Sequence, residues 1–297
     1  MAERINRVIE LLAAGQPVYY TGPSGRGYEG GKQDAQTWAD FINYDFEHNP
    51  FDMTVLREYM RGLVDGGPTK SGHRTPAVVV TLPVTGTSEA TIRANSWQIA
   101  HVLSAGVHGI LLCHAEDPAA VRAFVESTRY AFQTEGVGDG KLGAGRMGNG
   151  GQSYASGIWG LSPRDYMHRA DPWPLNPQGE LFLGLKIENK RALANTEASL
   201  AVPGLAFAEW GPGDMGLSLG FVDRHDPPYP PEMQAARARV LAACKANDIA
   251  FLNQVRANDV TEMIAEGVRV GAGREDAAQI GRKHTCLLYT SDAADEL

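Results

Sequence analysis

Three short stretches of this 297-residue chain place acids where they could do chemistry. In "YDFEHNP", Asp45, Glu47 and His48 crowd the end of an apolar run. Groups that close perturb one another's pKa values, which suits proton transfer. A plain turn, with Asp45 as its cap and His48 half-exposed, is the alternative. In "GLKIEN", Lys186 and Glu188 are two residues apart, so on a strand both point to one side. An inward ion pair returns less than its desolvation costs unless other groups satisfy it, so the pair hints at a metal or an anionic ligand. A structural salt bridge is the alternative. In "FAEWGPGDMGLSLG", Gly211 and Gly213 admit close backbone approach, Pro212 stiffens the turn, and Asp214 is delivered at a fixed place. Alone, such a turn reads as a helix N-cap. Taken together, Glu188 and Asp214 put two carboxylates on neighbouring parallel strands about 5 Å apart. Two carboxylates, completed by water and substrate oxygens, suit a hard octahedral cation such as Mg²⁺ or Mn²⁺.

The elements that must position these acids follow from the rhythm of the chain. Apolar runs of strand length at 17–22, 40–45, 76–84, 109–115, 181–188, 204–211, 249–255 and 268–273 alternate with amphipathic segments, several closed by Gly. Strands alternating with helices mean a parallel sheet covered on its outside, and eight such units predict a single (β/α)₈ TIM barrel preceded by an N-terminal helix. An open doubly wound sheet is the alternative. In a barrel, reacting groups sit where strands end at the C-terminal face, which is where all three acidic motifs fall. Residues 134–160 are so rich in Gly that they predict an irregular insertion, either a cover for the mouth or a surface loop.

Composition bounds the rest. The chain is 43% hydrophobic and 21% charged, with a net charge of −8 and no Lys/Arg-rich run, so a nucleic-acid partner is not expected. No apolar run reads as a signal peptide or a membrane span. Cys113, Cys244 and Cys286 form neither a disulfide framework nor a metal knuckle, which fits a cytoplasmic protein. The domain is read as residues 1–285. Residues 286–297, "CLLYTSDAADEL", resemble an in-frame sequencing adapter and are read as a non-native tail, with the natural C-terminus missing.

"DFEHNPFD", "LKIENKRALAN" and "GLAFAEWGPGDMGLSLG", in this order, resemble the HpcH/HpaI aldolase family, divalent-metal pyruvate aldolases with a (β/α)₈ fold and a hexameric habit. The similarity runs from about Asp40 to Gly273. It implies Glu188 and Asp214 as ligands to Mg²⁺, Mn²⁺ or Co²⁺, and His48, with Asp45 and Glu47, as the base-assisting group. It implies a small 2-oxo acid and an aldehyde as substrates, and a homo-oligomer built as a trimer of dimers. The family's Arg at the end of the third strand is replaced here by Leu82, and its Gln two residues before the metal Glu by Lys186; Lys186 is expected to supply some of the missing positive charge. Arg146 matches a family loop that could clamp a carboxylate, with a solvent-exposed Arg as the alternative, and His114 is a further candidate for the substrate pocket. His73, His101, His108, His168 and His225 are left as surface or packing residues. Two other functions remain open at this point: a Schiff-base aldolase using Lys186, and a degenerate binding protein without catalysis.

Overall fold

A computed structural model describes residues 4–285; the tail read above as an adapter lies outside the described residues. Among the described residues nine strands are formed: β1 Val18–Thr21, β2 Phe41–Asp45, β3 Ala77–Thr85, β4 Gly109–Cys113, β5 Pro172–Trp173, β6 Leu181–Lys186, β7 Phe207–Glu209, β8 Ala250–Gln254 and β9 Val268–Ala272. All pair in parallel in the order β4-β3-β2-β1-β9-β8-β7-β6, and β4 also pairs with β6. That last pairing closes the sheet into an eight-stranded barrel and rules out the open doubly wound alternative. The two-residue β5 only pairs beside the first two residues of β6.

Alternation along each strand separates two apolar layers. Val18, Phe41, Val79, Leu111, Phe182, Phe207, Leu252 and Val270 fill the barrel interior, where Phe182 and Phe207 stack with centroids 4.4 Å apart. The N-terminal helix Arg7–Ala13, capped by the Asn6 side chain on the Val8 N–H, adds Val8, Ile9 and Leu11 to this layer and plugs the barrel at its N-terminal end. The opposite parity, Val78, Val80 and Leu82 on β3 for example, packs outward against the helices. His108 belongs to the packing as expected: it stacks on Trp159, and its Nδ1 accepts the Val78 N–H at 3.1 Å.

The Gly-rich segment is more ordered than its composition suggests. Residues Gln152–Trp159 form a helix that ends on Gly160 in the left-handed conformation and buries Ala155, Ile158 and Trp159. Its short apolar stripe decides the matter, because burial against the barrel offsets the poor intrinsic propensity of Gly and Ser. Around that helix, the chain from Arg129 to Asp171 is pinned by a fully buried ion pair, Arg129 Nε to Asp171 Oδ1 at 2.6 Å and Nη2 to Oδ2 at 3.2 Å. Removing one partner of such a pair strands a buried charge, so Asp171→Asn is expected to lower unfolding stability by about 3–5 kcal/mol in urea titration.

Candidate active site

The C-terminal ends of β2, β4, β6 and β7 bring together residues that are far apart in sequence. At the end of β2, Asp45 Oδ1 accepts the Glu47 N–H at 2.8 Å, and its Oδ2 lies 2.9 Å from His48 Nδ1. This hydrogen bond, more than the neighbouring charges, holds the pKa of the exposed His48 above the ordinary imidazole value. Glu47 turns into the barrel mouth, where its Oε2 accepts from Lys186 Nζ at 2.6 Å.

Lys186 is the last residue of β6 and points inward, and its Nζ is also 3.4 Å from Glu188 Oε2. Burial by itself would lower the pKa of this amine. The carboxylates of Glu209, Glu188 and Glu47, together with Cys113, outweigh that and push it above the usual lysine range. The side chain is therefore an ammonium at neutral pH, a poor nucleophile for Schiff-base formation.

Glu188, two residues on, is fully buried. Its Oε1 accepts the His114 N–H at 2.8 Å, whereas Oε2 has no hydrogen-bond donor. Burial raises its pKa, against the pull of Lys186. The chain after β7 wraps against this carboxylate. Gly211 adopts φ +50°, and a Cβ built there would come 2.4 Å from Glu188 Cβ and 2.9 Å from Oε2. Only Gly permits both that conformation and that approach. Pro212 then opens the helix Pro212–Leu219, whose first turn carries the half-buried Asp214, while Gly213 faces open space. Asp214 makes no hydrogen bond or ion pair among the described residues, and its charge is felt by Glu209.

His114, a minor candidate in the sequence, is central in the fold. It leaves β4 with φ +45°, a conformation uncommon outside Gly that places its ring between the acids: Nδ1 is 3.3 Å from Glu188 Oε1 and Nε2 is 3.9 Å from Glu47 Oε1. Asn189 Nδ2 lies 3.2 Å from His114 Nδ1 and donates to Glu116 Oε1 at 3.0 Å, and Arg191 clamps both oxygens of Glu116 at 2.6 and 2.8 Å. This network steadies the imidazole from behind. Glu47, His114 and Glu188 offer ligand atoms within 4.8 Å of one another, as do Asp45, Glu47 and His48. Asp214 belongs to neither group of three.

Sequence reasoning missed Glu209. It is the last residue of β7, in register with Lys186, and its inward direction follows from Phe207 two residues earlier. Burial first, then Glu188, Glu47 and Asp214, push its pKa up to about 7 against the opposing Lys186. Glu116, Asn189 and Arg191 were missed as well, because nothing in "HAEDP" or "ENKR" announces that the two loops meet. Two proposed substrate contacts are not brought to this group. Leu82 has the outward parity of Val78 and Val80 and is fully buried between sheet and helices. Arg146 is largely exposed, 3.9 Å from Glu126.

Residues 39–279 match the family described as HpcH/HpaI aldolase/citrate lyase. The chain belongs to the HpcH/HpaI aldolase/citrate lyase family. It is 27% identical over 218 residues to a hydroxypyruvate/pyruvate aldolase of Paraburkholderia phytofirmans, covering 73% of this chain and 70% of the relative. It is 26% identical over 217 residues to a 4-hydroxy-2-oxo-heptane-1,7-dioate aldolase of Shigella sonnei, covering 70% and 74%. The crystal structure of an HpcH/HpaI aldolase/citrate lyase family protein from Burkholderia cenocepacia J2315 superposes with a TM-score of 0.70 over 94% of this chain and 97% of that chain, at 20% identity, a likeness of fold. Within this family's barrel, the acid groups described above sit at the C-terminal mouth, the end where the fold places chemistry.

Proposed function

We propose that the protein is a divalent-metal-dependent carbon–carbon lyase of the aldolase type, acting on a small 2-oxo acid and an aldehyde. The observation that carries this reading is Glu188 Oε2: a buried carboxylate oxygen without a donor, inside a cluster of oxygen and imidazole ligands and beneath a glycine whose Cβ would fill the space beside it. That donor set fits a hard cation, Mg²⁺, Mn²⁺ or Co²⁺. Glu188 and Asp214 would hold the ion, with Glu47 or His114 as further donors, and a bound ion supplies Lewis-acid polarisation of the ketone oxygen.

The chain's own groups account for the proton movements. In the cleavage direction the His48–Asp45 pair takes the proton of the hydroxyl on C4, the C3–C4 bond breaks, and its electrons pass into the ketone as an enolate while the aldehyde leaves. The Lys186 ammonium, fixed by Glu47, faces the developing negative charge, and a proton returned to C3 completes the 2-oxo acid. The buried apolar layer beneath keeps bulk water out of the barrel. The ion pairing of Lys186 argues against the Schiff-base alternative.

Chelation tests the reading. Treatment with EDTA is expected to abolish exchange of the pyruvate methyl protons with solvent deuterium, followed by NMR, and added Mn²⁺ should restore it. Borohydride with pyruvate should leave the mass of the protein unchanged. Full exchange after chelation, or a borohydride adduct on Lys186, would refute the metal assignment. No exchange under any condition would favour the non-catalytic alternative. Among the described residues no helix is long and apolar enough to cross a membrane. A cytoplasmic setting and a hexameric homo-oligomer belong to this proposal, the latter readable by sedimentation.

A further inference from the structure

The proposed chemistry leaves one acid of the barrel mouth unused. Glu209, at the end of β7, is half-buried, and its carboxylate makes no hydrogen bond or ion pair among the described residues. Its neighbour across the sheet is Lys186. The two residues pair in register on adjacent parallel strands, and both side chains face inward. Such strands lie about 4.8 Å apart, so the four-carbon stem of the lysine reaches the Glu209 carboxylate by rotation about its own bonds, with no movement of the backbone. Even without contact, Glu209 comes first among the charges that hold Lys186 as an ammonium, ahead of Glu188 and Glu47. The ammonium is nevertheless turned the other way, with Nζ 2.6 Å from Glu47 Oε2 and 3.4 Å from Glu188 Oε2.

The second of those contacts is made at the oxygen assigned above to the metal. An ammonium and a divalent ion on one carboxylate oxygen repel each other, far more strongly in a site shielded from water than in bulk solvent. When no metal is bound, the same ammonium keeps the fully buried Glu188 from standing as an uncompensated charge. Resting on the proposed metal-dependent function, we infer that Lys186 is a built-in counter-ion for the metal-free site, and that on metal loading its ammonium keeps Glu47 and exchanges Glu188 for Glu209. Glu209 is then a positioning residue. It touches neither ion nor substrate, and it sets metal affinity by receiving the displaced ammonium.

The test is Mn²⁺ binding, followed by electron paramagnetic resonance, in the parent protein, Glu209→Gln, Lys186→Gln and the double variant. Glu209→Gln should bind Mn²⁺ about tenfold more weakly, as is usual for a group one step removed from a metal. Lys186→Gln should bind it about tenfold more tightly, the order of the coupling between close charges, and in that background Glu209→Gln should change little. Without metal, Glu209→Gln should not lower the melting temperature, because the carboxylate it replaces has no partner there. Glu209→Asp keeps the charge and shortens the reach, so it should retain only part of the affinity; this variant carries the comparison if Lys186→Gln does not fold. Unchanged Mn²⁺ affinity in Glu209→Gln overturns the proposal. So does an equal loss in both backgrounds, or full affinity in Glu209→Asp, since either marks plain attraction at a distance. A metal-free protein destabilised by Glu209→Gln would mark a structural ion pair instead. If the parent protein itself binds no Mn²⁺, the metal-dependent reading has failed, and this inference falls with it.

Discussion

Glu188→Gln is expected to lower pyruvate proton exchange and aldol cleavage by about a thousandfold, since Lewis-acid stabilisation is worth several kcal/mol and each 1.4 kcal/mol is a factor of ten. The substitution is isosteric, and the amide oxygen still accepts the His114 N–H that Glu188 Oε1 accepts now. The fold is therefore expected to persist, with an unchanged thermal transition without metal. What is lost is the charge at Oε2. Titration with Mn²⁺, followed by electron paramagnetic resonance, should show binding weakened by about ten- to a hundredfold or more, the range seen even for groups one step removed from a metal. A variant that binds Mn²⁺ as tightly as the parent protein would show that the donorless oxygen serves only Lys186, 3.4 Å away.

Gly211→Ala should be the most damaging single methyl group that can be added near the site. An L-residue at φ +50° costs about 1–2 kcal/mol by itself. In addition the methyl overlaps Glu188 Cβ at 2.4 Å, so either the turn or the carboxylate must move. A shift of about 1 Å in a positioning group costs on the order of a hundredfold in rate. Both losses are expected, in urea unfolding and in exchange kinetics. Gly213→Ala, two residues later in open space, provides the control and should change stability by no more than about 0.5 kcal/mol. Equal behaviour of the two variants would show that the tight approach of Gly211 to Glu188 has no consequence.

Together with the Asp171→Asn measurement, these variants separate what holds the barrel from what holds the site. Asp171 lies in the segment that packs the chain before β6 and pairs only with structural partners, so its loss should destabilise the protein without a specific effect on metal affinity. Glu188 should do the reverse. Gly211, which belongs to both the backbone turn and the carboxylate's surroundings, should do both.

Local patterns in the sequence determined the architecture and half of the site. Apolar runs of strand length and the Gly caps between them depend only on neighbouring residues, and they marked the eight barrel strands and the exits where Asp45, Glu47, His48 and Glu188 stand. The helix Gln152–Trp159 escaped because its apolar stripe is short and the segment around it is rich in Gly. The tertiary structure alone decided which strand ends face one another. Closure of β4 onto β6 sets His114 against Glu188, and the curvature of the barrel carries Glu47 across its mouth to Lys186, 139 residues away. It also assigned parity at the end of β3, turning Leu82 away from the mouth, and placed Glu209 beside Lys186. The reason is physical. Side-chain direction along a strand is a local property, but adjacency between strands follows from register and closure, which the whole core fixes at once.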